Sequence, residues 1–242
     1  MTWKDTDDKS YGEPLAYRPY DDLENVSELT SLPDQAFHRD IDKLVLGAAS
    51  DATKIAVICP PTIYGDGRGP GNQSSRQAVV LVQTALKRGQ APRIGRGLAE
   101  WDHVHVNDLA DVFVLLAEAA VKNDKSLDSK LWGKDVYYLA ENGNHVWGEV
   151  SKWVAEDGFK KGYLKTDEVQ SMEVDDAKEV AGFEAVSWGL NSRGTAKRAR
   201  QYLGWKPHGP SLKEVIPLMI DAEAKKQGLA PKGYADKAAG KA

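Results

Sequence analysis

The chain has 242 residues, of which 41% are hydrophobic and 28% are charged, and its formal net charge is −4. This composition is typical of a soluble globular protein, and the acidic balance argues against nucleic acid as a partner. No apolar run approaches the roughly 20 residues that a membrane-spanning helix needs, and Met1 is followed by charged residues rather than a signal-peptide core. We therefore expect a cytoplasmic protein without a membrane contact.

Residues 2–32 are polar and rich in turn-forming residues, which predicts a loop that crosses the surface over the active site. Apolar residues then recur at helical spacing, at Phe37, Ile41, Leu44, Val45 and Ala48. This periodicity predicts a helix that opens at Pro33 and takes Asp34 as its N-cap.

A short apolar run follows at residues 55–59, and it predicts a strand buried on both faces of a parallel sheet. The run includes the single cysteine, Cys59, which we expect to be buried and reduced. Pro60 and Pro61 end the strand, because neither can donate an amide to a ladder. Since ligands bind beyond the carboxyl ends of parallel strands, residues 61–68 are expected to form one wall of a pocket.

Farther along, the pattern predicts alternating helices and strands. A helix at residues 77–88 ends at Gly89, and a short strand that starts at Trp101 leads into a helix with Asn107 or Asp108 at its start. The later predicted elements are a strand at 135–140, helices at 145–155 and 168–180, a basic helix at 197–203, and a last helix opened by a Ser211-x-x-Glu214 capping box.

His103 and His105 lie on one face of the predicted strand, with Asp108 nearby. Two histidines and a carboxylate can bind zinc or iron. No third ligand is fixed by the spacing, so no metal site is predicted.

A basic cluster near the C-terminus consists of Arg193, Lys197, Arg198 and Arg200. It admits two interpretations, an anion site or a solvated helix face. We favour the solvated face.

Three segments resemble a known family: CPPTIYG, then GRG, and some forty residues on HVHVNDLADVFVLLAEA. Their order and spacing are similar to those of the NAD(P)-dependent epimerase/dehydratase family of extended short-chain dehydrogenases, in a fungal-type atypical branch. The resemblance implies an α/β fold with a partial Rossmann-like core, a doubly wound parallel sheet, in residues 1–140. It further implies a substrate-loop insert at 65–100 and a mainly helical C-terminal substrate lobe at 141–227. The Lys/Ala/Gly-rich composition of residues 228–242 predicts a disordered tail.

The resemblance also implies NAD or NADP as cofactor and a catalytic Tyr-x-x-x-Lys pair. The lysine is present as Lys43, whereas Arg39 stands at the tyrosine position, beside His38. Arginine stays protonated at ordinary pH and cannot replace the tyrosine as an acid or base, while histidine titrates in the right range. These three are the candidate catalytic residues. The expected cofactor contacts are Lys43 and the backbone of Pro61, Thr62 and Ile63.

On the substrate side, the resemblance places Tyr64, Arg68, Asn72, Trp101 and His105. Family members that use nucleotide sugars usually carry an arginine where Trp101 stands, and that arginine binds the diphosphate. Tryptophan offers a diphosphate no charge, so an uncharged or aromatic small-molecule substrate is expected.

The chain contains no Gly-x-Gly-x-x-Gly fingerprint, because Pro70 and Asn72 interrupt its glycine run. A dinucleotide-binding fold holds the pyrophosphate at that motif. Compared with the family, the sequence is expected to start after the fifth strand, with the pyrophosphate site absent from it. A sheet without its central strands leaves edges uncovered, so we expect either an exposed apolar face or association with a second copy or a partner chain.

Three functions remain open at this point. The first is an NAD(P)-dependent epimerase/dehydratase-like or reductase-like protein that acts on a small carbonyl or hydroxyl substrate, impaired by the missing cofactor loop and tyrosine. The second is a non-catalytic NAD(P)-fold remnant that serves as a binding module or partner subunit. The third is a metal-dependent hydrolase that uses His103 and His105.

Overall fold

The computed structural model describes residues 2–231, in which short strands and helices alternate. The strands are β1 (Tyr20–Asp21), β2 (Val57–Cys59), β3 (Thr62–Tyr64), β4 (Pro92–Ile94), β5 (Glu100–His105), β6 (Tyr137–Leu139), β7 (Asn144–Val146), β8 (Gln170–Met172) and β9 (Gly194–Thr195). The predicted tail at 228–242 lies outside the described residues from residue 232 on.

The helices of the described chain are α1 (Trp3–Asp8), α2 (Val26–Thr30), α3 (Arg39–Gly47), α4 (Gln77–Arg88), α5 (Val106–Lys122), α6 (Asp128–Leu131), α7 (Trp147–Lys160), α8 (Val174–Ala181), α9 (Phe183–Val186), α10 (Arg198–Tyr202) and α11 (Leu212–Lys226). A 3₁₀ turn at Ser187–Gly189 follows α9. Within residues 2–231, no helix has the length and apolar character that crossing a membrane requires.

The strands form small sheets in which parallel pairing predominates. β2 pairs with β6, β3 with β5, β4 with β8, and β1 with β9, all in parallel. β7 runs antiparallel to β5. Parallel strands connected through helices confirm the predicted α/β, Rossmann-like class.

The N-terminal segment is not the loop that its polar sequence predicts, because α1, β1 and α2 lie within it. Helices as short as α1 and α2 are not stable alone in water. Contacts with residues distant in sequence hold this segment in place: buried Asp5 in α1 accepts a hydrogen bond from the Asn191 amide at 2.6 Å, and Tyr20 in β1 pairs with Gly194 in β9.

Helix α3 begins at Arg39, later than predicted, because His38 at its N-terminal boundary adopts the left-handed backbone conformation with φ 65°. Asp34 is therefore not its N-cap. Phe37, Ile41 and Leu44 from the predicted apolar stripe are 63%, 52% and 72% exposed. The exposed apolar face that the sequence leads us to expect lies here.

Other local predictions are confirmed where the signal lies within one helix. Helix α4 has its predicted bounds, and Gly89 ends it in the left-handed conformation. Ser211 and Glu214 form the predicted capping box of α11.

Three boundaries differ from the prediction. The N-cap of α5 is His105, whose Nδ1 accepts a hydrogen bond from the Asn107 amide at 3.3 Å. His145 lies in strand β7 rather than at the start of a helix. Residues Gln170–Met172 form β8, because they pair with β4 instead of beginning the surface helix.

Two apolar clusters form the core. In one, Trp147, Trp188 and Ile216 pack among α4, α7 and α11. In the other, Tyr138 of β6 packs with Val112 of α5 and with Trp205, whose Nε1 donates to the Asp108 carbonyl at 2.8 Å.

The basic cluster is neither an anion site nor a solvated face. Arg193 forms ion pairs with Asp102 and Glu100, and Arg200 pairs with Glu141. Arg198 is buried and donates to the Asp22 and Lys130 carbonyls, and Lys197 pairs with Asp21 and Glu24. These bonds fasten the segment after α9 to β1, β5 and the loop after β6.

Candidate functional site

A cavity of about 1030 Å³, hereafter the central cavity, lies between α1, α3, β2 and α9. Pro60 borders it at the end of β2, whereas the predicted wall at residues 61–68 does not. A cavity of this size is at the upper end for small-molecule sites. Its walls are mostly apolar and include Leu29, Phe37, Ile41, Ile58, Trp101 and Phe183.

Strand β2 forms part of the cavity wall. The prediction that it is buried on both faces is wrong, because Val57, Ile58 and Cys59 are each only half-buried and all three border the cavity. The Val57 amide donates to the Val136 carbonyl at 3.1 Å, so the amide and carbonyl of Ile58 face away from β6. Within residues 2–231, no strand pairs with that edge.

The charged side chains around the central cavity are mainly acidic. Asp7, Asp42 and Glu184 border it, against the single cation Arg76 among the described lining residues. Arg76 forms an ion pair with Glu184. Among the described residues that line the cavity, no positive charge is therefore left unpaired for an anionic ligand.

The three candidate catalytic residues do not converge. Arg39 is only 9% exposed and donates from Nη2 to the Thr30 carbonyl, and its Nε and Nη1 have no hydrogen-bond partner among the described residues. Lys43 forms a 2.8 Å ion pair with Asp34, and its side chain is 51% exposed. Of the three, only His38 borders the central cavity, where its ring centroid lies 4.0 Å from that of Phe37.

The polar residues of the cavity that sequence reasoning missed include Asp42 and Tyr137. The Tyr137 hydroxyl donates a hydrogen bond to Asp42 Oδ2. Burial, reinforced by the Asp42 carboxylate, raises the pKa of Tyr137, so the phenol is protonated at neutral pH. The sequence offers one sign of the pair, two adjacent tyrosines in a predicted strand, but nothing local connects Tyr137 to α3.

The expected cofactor contacts also lie apart. Thr62 is fully buried with no hydrogen-bond partner for its Oγ1 among the described residues, and Pro61 and Ile63 are half-buried. None of these three, nor Lys43, borders the central cavity. The central cavity therefore presents none of the four expected cofactor contacts.

The expected substrate residues divide into buried and exposed ones. Tyr64 is fully buried, and its hydroxyl donates to the Pro210 carbonyl at 2.6 Å. Arg68 and Asn72 are exposed on the glycine loop. Trp101 borders the central cavity, whereas His105 is buried as the cap of α5.

The glycine of the Tyr64-Gly65 pair has a structural role. Gly65 has φ +89°, and a Cβ built there would lie 2.3 Å from Nε2 of His105. No larger residue fits this close approach, so the motif that carries the family resemblance here serves packing.

His103 belongs to a buried histidine pair. Its Nδ1 lies 3.1 Å from Nδ1 of His145, and the two rings stack with centroids 5.4 Å apart. Burial lowers the pKa of His103 to about 4 and that of His145 well below its usual value. Both imidazoles are neutral at pH 7, and one Nδ1–H donates to the other ring.

The histidines of the predicted H-x-H pair thus serve separate structural roles. A different set, Asp108, Asp111 and His208, brings metal-type donor atoms together. However, Asp108 Oδ1 already accepts hydrogen bonds from the His208 and Gly209 amides at 2.8 and 3.1 Å, which explains the cluster as a structural anchor for the loop before α11.

Residues 37–128 match the model of the NAD dependent epimerase/dehydratase family. The oxidase ucsJ of Acremonium sp is 32% identical over 236 residues, covering 95% of this chain and 68% of that protein. The uncharacterized protein C2A9.02 of Schizosaccharomyces pombe is 24% identical over 183 residues, and the match covers 75% of this chain and 54% of that one.

Solved structures share the fold. A dTDP-glucose 4,6-dehydratase from Bacillus anthracis in complex with NAD matches with a TM-score of 0.57 and 14% identity, covering 90% of this chain and 60% of that chain. DesIV of Streptomyces venezuelae, a dTDP-glucose 4,6-dehydratase with NAD bound, matches with a TM-score of 0.55 and 11% identity, covering 90% and 58%. The chain thus spans about three fifths of the solved proteins that it resembles.

Proposed function

The chain belongs to the NAD-dependent epimerase/dehydratase family, and on that basis we propose that it is a ligand-binding module of this fold rather than a self-sufficient reductase. The central cavity is its ligand site. A partner subunit or a further segment would have to supply the phosphate-binding glycine loop, since these 242 residues contain no such fingerprint.

One observation carries this proposal: both positions of the family's Tyr-x-x-x-Lys pair are engaged in contacts within this chain. Arg39 occupies the tyrosine position, is buried, and is held by the Thr30 carbonyl. A guanidinium stays protonated at ordinary pH, so it cannot take the proton that a tyrosine would exchange. Lys43 is ion-paired with Asp34 on the outside of α3, away from the cavity.

A second candidate function is a reductase-like or epimerase-like activity on a small carbonyl or hydroxyl substrate, with NAD or NADP bound jointly with a partner. The observation that favours it is His38, which borders the cavity and is exposed there. An imidazole at that position could exchange a proton with a bound substrate. In this case Lys43 would be released from Asp34 to contact the cofactor.

The Lys43→Ala variant separates the two functions. The binding module is expected to keep its ligand affinity and its stability within about 0.5 kcal/mol, because both partners of the Lys43–Asp34 pair are largely exposed. Thermal melts, ligand titrations and NAD(P)H consumption with small carbonyl compounds measure these quantities.

Lys161→Ala is a matched control for that variant, since this lysine is bound by Asp157, Asp221 and the Pro217 carbonyl. It should destabilise the protein by about 1 kcal/mol through lost charge-assisted bonds. Cofactor-dependent turnover that disappears in Lys43→Ala at unchanged stability would decide for the enzyme.

A further inference from the structure

The side chains that line the central cavity indicate which ligands it can bind. Its wall carries aromatic side chains from several elements: Trp3, Phe37, Trp101, Tyr137 and Phe183. The Phe37 and Phe183 rings lie 5.9 Å apart and are both 63% exposed, so they form an apolar rim that is open to an entering molecule. Ring faces of this kind favour flat apolar ligands.

The charges at the cavity discriminate between anionic and uncharged ligands. The described lining residues include three carboxylates, those of Asp7, Asp42 and Glu184, and one arginine, Arg76, which is paired with Glu184. An anionic group brought into this space would lose hydration and gain repulsion. The central cavity is therefore unsuited to a diphosphate, and an uncharged ligand has no such penalty.

Polar contacts for an uncharged ligand are present. Asp42 accepts from Tyr137 and keeps further acceptor capacity, and the amide and carbonyl of Ile58 on the free edge of β2 face away from β6. A hydroxyl or carbonyl on the ligand can use these groups, which would fix its orientation in an otherwise apolar space.

We infer that the central cavity binds an uncharged, ring-containing apolar small molecule that carries one or a few hydroxyl or carbonyl groups, and that it excludes nucleotide diphosphates. This inference rests on the proposed binding function and names its ligand class. The binding surface is formed by α3, the edge of β2 and the start of α9.

A pair of fluorescent probes tests the charge selectivity. N-phenylnaphthylamine is neutral, and anilinonaphthalene sulfonate has the same ring system with an added sulfonate. The neutral probe is expected to bind the full chain with at least about tenfold higher affinity than the sulfonate. Equal affinities, or tighter binding of the sulfonate, would overturn the inference.

Substitutions at exposed cavity positions locate the binding. Ile41→Asp and Phe183→Asp place a charge at positions that are 52% and 63% exposed, so both variants should fold, and each is expected to weaken the neutral probe at least about tenfold. Leu44→Asp on α3 and Val180→Asp on α8 are controls, since both residues are exposed and neither borders the cavity. They should change the affinity less than about twofold.

Two results would contradict the location. The first is a loss of probe affinity in Leu44→Asp as large as that in Ile41→Asp. The second is a lower molecular mass of the Ile41→Asp variant in sedimentation, with unchanged affinity for the probe. That result would show that the central cavity is covered by a second copy of the chain. Neither result depends on Lys43, so failure of this inference is separate from failure of the proposed function.

Discussion

Replacing Asp102 with alanine is expected to lower the free energy of unfolding by about 3 kcal/mol, because it removes one of the two carboxylates that pair with the largely buried Arg193. Asp102 lies in β5 and is 3% exposed. Its carboxylate accepts from Arg193 Nε at 2.6 Å and from the Gly194 amide at 2.5 Å. Both groups directly follow Ser192, which borders the central cavity, and the variant removes the acceptor of the Gly194 amide.

The Asp102→Asn variant helps to assign the cause. Asparagine keeps an acceptor for one of the two donors but not the charge, so it is expected to recover about half of the lost stability. Asp167→Ala is the control, since Asp167 is exposed, and it should change stability by less than about 0.5 kcal/mol. Urea unfolding at pH 7.5 measures all three. A loss below about 1 kcal/mol in Asp102→Ala would show that the segment is held by other contacts.

Acidification is expected to destabilise the protein through the His103–His145 pair. The folded-state pKa of His103 is lowered by burial to about 4, against 6.5 for the free side chain. Between these values the unfolded chain binds the proton and the folded protein does not, so stability falls as the pH falls from 6.5 to 4, by about 3 kcal/mol for this residue. Below pH 4 the contribution is lost, and above pH 6.5 it is fully present.

Other titrating groups also change the stability in this pH range, and their contributions must be separated from that of His103. Burial raises the pKa of Asp22 and Asp102 to about 6, which gives the opposite sign, since the folded state then holds protons that the unfolded chain releases. Glu141 and Arg193 are the charged groups that act on His103 itself. Asp22 and Asp102 are present in both the unsubstituted chain and the His103→Asn variant, so their contributions cancel when the two proteins are compared. The variant should lose less stability on acidification than the unsubstituted chain. Identical slopes would contradict the neutral pair.

Patterns confined to a single helix are predicted well from the sequence. Helix α4 with its Gly89 terminus and the Ser211–Glu214 capping box depend on residues that are adjacent on one helix, so the sequence displays them directly. The short helices near the N-terminus are different. α1 depends on the bond between Asp5 and Asn191, which are distant in sequence, and no local periodicity records it.

At the candidate site, too, some features are visible in the sequence and others depend on contacts between residues distant in sequence. The resemblance places Arg39 where the family carries its tyrosine, but the contact of Arg39 with the Thr30 carbonyl depends on where α2 packs. Likewise, Tyr137 and Asp42 meet only because β6 lies beside β2 and α3. His103 was singled out for a neighbour two residues away, whereas its actual partner, His145, is brought to it by the antiparallel β5–β7 pair.

The most direct test of the account is a thermal melt of the chain alone, with millimolar NAD(H) or NADP(H), and with a saturating neutral aromatic ligand. A ligand present at 100 times its dissociation constant adds about 2.7 kcal/mol to stability, which moves the midpoint by several degrees. We predict one cooperative transition that the neutral ligand raises and neither dinucleotide moves. A shift of several degrees with NAD or NADP would contradict the account, because it would mean that these residues hold the cofactor by themselves.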